Sequence, residues 1–202
     1  MSGPSTKGMV YAFYGETKGK TSAALGTIVR ALGHGGMVRV VFFMKHWQTS
    51  EATFFEKLRE MPGFDIKFYK AGDNDFIFVD EMVNHTTLEN ARKQLQFGKL
   101  QPKDERDVQA AQMGYMKALS YLDEKPFLLV LDEVTLAVEF GLVGPQQVRH
   151  LLERAVAEGV HIVLTGRPMP AVLEELCDLV TRMDKVKHPF DIGVYAVQGL
   201  DY

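Results

Sequence analysis

Residues 9–30, MVYAFYGETKGKTSAALGTIVR, run from an apolar strand pattern through a glycine-rich turn into a helical pattern carrying Leu25, Ile28 and Val29. This is the layout of a phosphate-gripping loop. Gly15 and Gly19 permit backbone conformations closed to other residues, so that successive amide hydrogens converge on one anion at the start of the helix. Lys20 adds a mobile positive charge, and the Thr21 hydroxyl is suited to ligating a magnesium ion that bridges phosphate oxygens. The spacing is GxxxGKT, one residue shorter than the common GxxxxGK[ST], because position 14 holds Tyr14 rather than glycine. A plain glycine turn is the competing reading; the flanking strand and helix patterns favour phosphate binding.

The 202 residues contain 46% hydrophobic and 24% charged residues, the balance of a globular chain forming a single domain over residues 1–202, with residues 1–8 expected to be flexible. The formal net charge of −3 argues against a nucleic-acid partner. The opening segment MSGPSTKG lacks an apolar core, and no stretch is long enough to cross a bilayer. No membrane association and a cytoplasmic location are therefore expected. Cys177 is the only cysteine. Its apolar neighbours Leu176 and Leu179 predict an inert, buried thiol.

Branched and aromatic runs at residues 9–14, 38–43, 66–69, 127–131 and 160–164 read as strands covered on both faces. Between them lie helical stripes. Val108, Ala111, Tyr115, Ala118 and Leu122 form one, and Val148, Leu151, Leu152 and Ala155 another, with Pro145 placed for a first turn. Met113 and Met116 are read as gap-filling core. The alternation predicts an α/β fold, a mainly parallel sheet flanked by helices on both faces, with ligands at the carboxyl ends of the strands. Residues 71–103 mix acids with aromatics, carry a helical pattern from residue 88 that Gly98 ends, and are expected to hold a mobile substrate loop.

Three polar clusters should meet at that sheet edge: the glycine-rich turn, Asp132 and Glu133 after FLLVL, and Thr165, Gly166 and Arg167 after HIVL. Asp132 or Glu133 would complete a metal shell begun by Thr21; capping of the next helix by Asp132 is the alternative. Pro168 turns the chain after the strand, directing the Arg167 guanidinium toward phosphate oxygens, with a solvated arginine as the alternative. The histidines lack ligand spacing; His34 reads as a loop residue.

Several segments together resemble the P-loop type of ATP:corrinoid adenosyltransferase: YGETKGKTSAALG followed by VRALGHGG, then LLVLDEVTLAVEFGLV, HIVLTGRPMP, and the closing LCDLVTRMDKVKHPFDIGVYAVQGLDY. The resemblance implies a P-loop NTPase, RecA-like architecture. It also implies transfer of the 5′-deoxyadenosyl group of ATP to the cobalt(I) of a corrinoid, with release of triphosphate. ATP and Mg2+ would be used, ATP would lie reversed relative to ordinary P-loop enzymes, a flavoprotein would be a possible reductant, and the chain would form a homodimer. Carried over by motif, Gly15, Glu16, Thr17, Lys18, Gly19, Lys20, Thr21 and Ser22 would wrap the triphosphate. Arg30 and Arg167 would be nucleotide or phosphate contacts. Lys20, Thr21 and Glu133 would carry catalysis, and Thr21, Glu133 and Asp132 would face the metal.

The chain also departs from the family pattern. Glu16 stands where Asn or Asp is usual, and Thr17 replaces a glycine, which predicts a strained or reshaped loop. Relatives commonly show a glutamine, Lys-Gly and later Gly-Glu after the second strand, against Phe43, Lys45, His46, Ser50 and Glu51 here. The aromatic pair on their corrinoid side has only Phe76 and Phe78 as weak counterparts, and the single tryptophan is Trp47. Arg182 stands where glutamate is frequent. Two further readings are an ordinary P-loop ATPase with Glu133 as base, and a catalytically weak relative that carries a corrinoid or nucleotide to a partner.

Overall fold

The computed structural model describes residues 7–45, 48–72, 75–79, 99–194 and 197–201. Its main sheet contains β1 (Val10–Tyr14), β2 (Val38–Phe43), β3 (Ile66–Ala71), β6 (Leu128–Asp132), β7 (His161–Gly166) and β8 (Leu179–Arg182), in the order β3-β2-β6-β7-β1-β8. Every neighbouring pair is parallel. The remaining strands, β4 (Phe76–Phe78) and β5 (Leu100–Pro102), form a separate parallel pair. The α-helices among the described residues are α1 (Lys20–Gly33), α2 (Ser50–Glu60), α3 (Glu105–Asp123), α4 (Val134–Glu139), α5 (Pro145–Ala157) and α6 (Ala171–Glu174).

Period-two alternation along the central strands sends neighbouring residues to opposite faces. Val38, Val40, Phe42, Leu128, Val130 and Val163 join Ala24, Ile28 and Ala31 of α1 and Phe55 and Leu58 of α2. Val41, Phe43, Leu129, Leu131, Ile162 and Leu164 meet the stripes of α3 and α5. Both faces are therefore covered, which is why the strands read as continuous apolar runs; each fully buried Leu or Ile contributes about 1.5–3 kcal/mol. Helix α3 starts on a capping box between Asp104 and Asp107. It lies so close to the sheet that a Cβ on Gly114 would come within 2.5 Å of the Ala71 methyl. Pro145 opens α5 in its first turn, as expected.

Met113 and Met116 are not core: they are 59% and 62% exposed. They fall between the buried positions 111, 115 and 118 of α3, so the 3.6-residue period points them outward. Strand β8 is absent from the sequence reading because it is a short edge strand, exposed along its length, without an apolar run. The ends of the stretch 71–103 pair with each other: Phe76 N donates to Lys99 O at 2.7 Å, Lys99 N to Asp75 Oδ1 at 2.8 Å, and Lys103 N to Phe78 O at 2.9 Å. The helical pattern from residue 88, like His46, Trp47 and residues 1–6, lies outside the described residues. No helix among the described residues is long and apolar enough to cross a membrane.

Candidate functional site

Strand β1 ends at Tyr14, and the chain turns through Gly15 at φ 134° and Gly19 at φ 110° before α1 begins at Lys20. Both angles need glycine, and both glycines lie under Met183: an added Cβ would come 2.3 Å from its carbonyl oxygen at Gly15 and 3.0 Å from its sulfur at Gly19. Gly15 N donates to Gly166 O at 3.3 Å, tying the loop to the end of β7. The described non-glycine residues of positive φ are Met44, Lys125 and Glu133. Thr17 is not among them, so the strain expected there does not occur; the two flanking glycines absorb the reversal.

Lys20 is only 7% exposed, and its Nζ donates to Thr17 O at 2.7 Å. Burial lowers its pKa, opposed by the carboxylate of Glu133 and reinforced by Arg167. Such an ammonium is held inside the loop that a phosphate would enter.

The tip of β6 carries the two acids into different environments. Asp132 is 1% exposed, and its Oδ1 accepts from the Thr21 hydroxyl at 3.0 Å and the Thr165 hydroxyl at 2.7 Å. Its Oδ2 accepts from Lys45 Nζ at 2.6 Å. Burial pushes this carboxyl up, but the Lys45 charge and the donors outweigh it and hold the group below its ordinary value. Asp132 is thus no helix cap; the cap of α4 is Glu133, in the left-handed region at φ 57° and ψ 22°. Glu133 N donates to Thr165 Oγ1 at 2.8 Å, and the residue lines the cavity beside the loop. Its Oε2 is buried without a hydrogen-bond partner, and burial together with Asp132 raises its pKa. Gly166 lets the end of β7 pack closely on the start of α4, since a Cβ there would stand 2.3 Å from Thr135 Oγ1.

Arg167 Nη1 lies 3.3 Å from Glu16 O and 3.4 Å from Glu16 Oε2. The loop residues 16–22, Glu133, Arg167, His188, Leu200 and Asp201 line an open cavity of about 280 Å³. Arg167 also borders a smaller cavity of about 150 Å³, with Met44, Gly72, Phe76 and Ile77 on its walls. Phe76 therefore faces a cavity, whereas Phe78 is core at 7% exposure.

The structure thus brings together Gly15, Glu16, Thr17, Lys18, Gly19, Lys20, Thr21, Ser22, Asp132, Glu133 and Arg167. It does not bring Arg30 to them. Arg30 sits in the last turn of α1, roughly 15 Å along the axis from Lys20 at 1.5 Å per residue. There it borders a cavity at the opposite sheet edge with Met9, His34, Phe127 and His161. Three contributors escaped sequence reasoning. Lys45 had no motif of its own, while His188 and Asp201 belong to the closing segment, which the sequence marked only through its resemblance to the family. Asp201 pairs with Lys18 of the loop and accepts from Val197 N at 2.7 Å, folding the end of the chain over the cradle. Cys177 is half-buried, with its thiol pushed up to about 12 by burial and then by Glu174 and Asp178, as an inert cysteine should be.

For a magnesium ion accompanying nucleotide phosphates, the residues present fit. The Thr21 hydroxyl gives its proton to Asp132 and, with Lys45 Nζ 3.5 Å from its oxygen, keeps one lone pair for the cavity, and Glu133 offers a buried oxygen with no partner. No group of three or more His, Cys, Asp or Glu forms a protein-only metal cage among the described residues; a magnesium site of this kind draws its other ligands from phosphates and water.

A parallel sheet with a glycine loop at the tip of β1, a lysine and threonine opening α1, and paired acids ending β6 defines a P-loop nucleotide-binding protein. The family model for ATP:corrinoid adenosyltransferase BtuR/CobO/CobP matches residues 6–202. Among proteins similar to this chain, a corrinoid adenosyltransferase of Sinorhizobium sp is 32% identical, covering 97% of this chain and 81% of that protein. Corrinoid adenosyltransferases of Pseudomonas aeruginosa and Escherichia coli K12 are each 30% identical, covering 97% of this chain and 84% and 86% of theirs. The chain belongs to the ATP:corrinoid adenosyltransferase family.

Proposed function

We propose that this protein transfers the 5′-deoxyadenosyl group of ATP to the cobalt(I) of a reduced corrinoid and releases triphosphate. The observation that carries the reading is the cradle of residues 15–22 closed by Glu133 and Arg167, in a chain that matches the family along almost its whole length. Cobalt(I) is itself the nucleophile. The cobalt–carbon bond forms as the bond from C5′ to the α-phosphate oxygen breaks, and the leaving triphosphate keeps the electron pair, so no side chain need remove a proton. What the protein supplies is alignment and charge. The amides of the loop and Lys20 take the triphosphate, and Arg167, set between the cradle and the cavity bordered by Phe76, takes the end nearest the reacting carbon. Thr21 and Glu133 would hold magnesium, which when bound neutralises phosphate oxygens.

ATP lies with its C5′ toward the Phe76 cavity, reversed relative to ordinary P-loop enzymes. The protein works as a single-domain homodimer in the cytoplasm, with a flavoprotein as electron donor. These assignments rest on the resemblance to the family, together with the position of Arg167 between the two cavities. The test is anaerobic incubation with ATP, magnesium and chemically reduced cobalamin. Conversion of the visible spectrum to the alkylated form with stoichiometric triphosphate supports the proposal. Orthophosphate without alkylation identifies an ATPase, and tight cobalamin binding with neither product identifies a carrier.

A further inference from the structure

Lys45 follows β2, and its inward path is built by the backbone. Met44 adopts φ 57° and its N–H donates to Ala71 O at 2.6 Å. The end of β3 presses so closely here that a Cβ on Gly72 would lie 2.7 Å from Lys45 N. A methionine in the left-handed region costs free energy that its surroundings must offset. The result is an ammonium with its side chain only 18% exposed, 2.6 Å from Asp132 Oδ2 and 3.5 Å from Thr21 Oγ1.

That placement decides which acid is open to a cation. Both oxygens of Asp132 are occupied, Oδ1 by the Thr21 and Thr165 hydroxyls and Oδ2 by Lys45, while Glu133 retains a buried oxygen without a partner. We propose that Lys45 is a positioning residue for the divalent cation that accompanies ATP: by holding the Asp132 carboxylate it reserves Glu133, with Thr21, as the protein ligands and keeps a fixed positive charge beside the triphosphate. The inference rests on the cradle being an ATP site, as proposed above. Without Lys45, Asp132 becomes a second anionic ligand next to Thr21, so cation binding gains and phosphate binding loses.

The experiment is a titration of the apoprotein with Mn2+ followed by electron paramagnetic resonance, alongside calorimetric ATP binding in the presence of chelator. Lys45→Met should bind Mn2+ about tenfold more tightly without nucleotide and ATP about tenfold more weakly without metal, while Lys45→Arg keeps the parent values. Both affinities unchanged in Lys45→Met, or both reduced together in the folded variant, overturns the proposal. The double variant Lys45→Met/Asp132→Asn removes both charges and guards against a folding defect in the single variant. It should retain Mn2+ affinity within about threefold of the parent, because Glu133 remains. Loss of Mn2+ binding there makes Asp132 the ligand and sinks the inference. A parent protein that takes up no ATP with or without Mn2+ instead refutes the functional reading itself.

Discussion

The Thr21 hydroxyl donates to the Asp132 carboxylate at 3.0 Å across 111 positions of sequence. This bond joins the first turn of α1 to the tip of β6; with Lys45 Nζ 3.5 Å from the same hydroxyl oxygen, one of its lone pairs is left for a ligand in the cavity. The second hydroxyl on the same carboxylate oxygen, from Thr165 of β7, also accepts Glu133 N, so both acids of the β6 tip are set by one threonine. Phosphate loop and acids are thereby held as one unit before any ligand arrives, which is the preorganisation that charge stabilisation requires.

Lys20→Ala should abolish activity while the fold survives. Its ammonium makes one hydrogen bond, to Thr17 O, so stability should change by no more than about 1 kcal/mol. ATP affinity, measured by calorimetry, should fall by about two orders of magnitude, the loss of a charge-assisted phosphate contact in a partly dry site. Near-normal adenosylation by this variant would count against the phosphate role.

Asp132→Asn should destabilise the protein by about 3–5 kcal/mol, since it leaves the Lys45 ammonium without its counter-charge. The Asp132 carboxyl is held below its ordinary value of 3.8, so the folded state binds fewer protons than the unfolded state, and its contribution is present above that value. The gap in denaturant midpoint between parent and variant should stay constant from neutral pH down to about pH 4 and shrink only below it. A gap already closing between pH 7 and 5 would show the carboxyl titrating high.

The two loop glycines should respond unequally to alanine. At Gly15 the new methyl meets a backbone carbonyl at 2.3 Å, whereas at Gly19 it meets the flexible Met183 side chain at 3.0 Å. Both positions carry positive φ, which costs alanine about 1–2 kcal/mol. Gly15→Ala should add a steric penalty of about 1–3 kcal/mol, visible as a lower urea midpoint than that of Gly19→Ala.

Glu16→Asn should improve nucleotide binding. The Glu16 carboxylate lies 3.4 Å from Arg167 Nη1 and adds negative charge at the mouth of the cavity. Because the pair is exposed, its removal should strengthen ATP binding only about three- to tenfold, and the gain should diminish in high salt. Unchanged affinity at low ionic strength would show that Arg167 takes no part.

Arg39→Ala should unfold the chain more readily without touching the site. Arg39 is 1% exposed and bonds Asp65 at 2.7 Å and Glu124 at 2.6 Å, joining β2 to the segments before β3 and after α3. Loss of the guanidinium removes its packing and hydrogen bonds but leaves solvent-accessible carboxylates, with Glu124 still paired to Lys67, a deficit of about 2–3 kcal/mol. The Kd for ATP, measured below the unfolding transition, should not move.

Sequence alone was enough for the apolar strands, the helical stripes of α3 and α5, the loop from Gly15 to Thr21 and the acids at the tip of β6. Each is a local pattern whose period or turn chemistry survives any packing. Edge strand β8 has no such pattern, and Met113 and Met116 show that apolar character does not imply burial when the helical period points outward. Only the tertiary structure decided that Asp132 is occupied by Thr21, Thr165 and Lys45 while Glu133 keeps a buried oxygen without a partner. It likewise decided that Arg30 lies far from the cradle and that Asp201 reaches back to Lys18. These relationships depend on how parallel strands are ordered across the sheet, which places residues distant in sequence at one edge, and no local pattern carries that order.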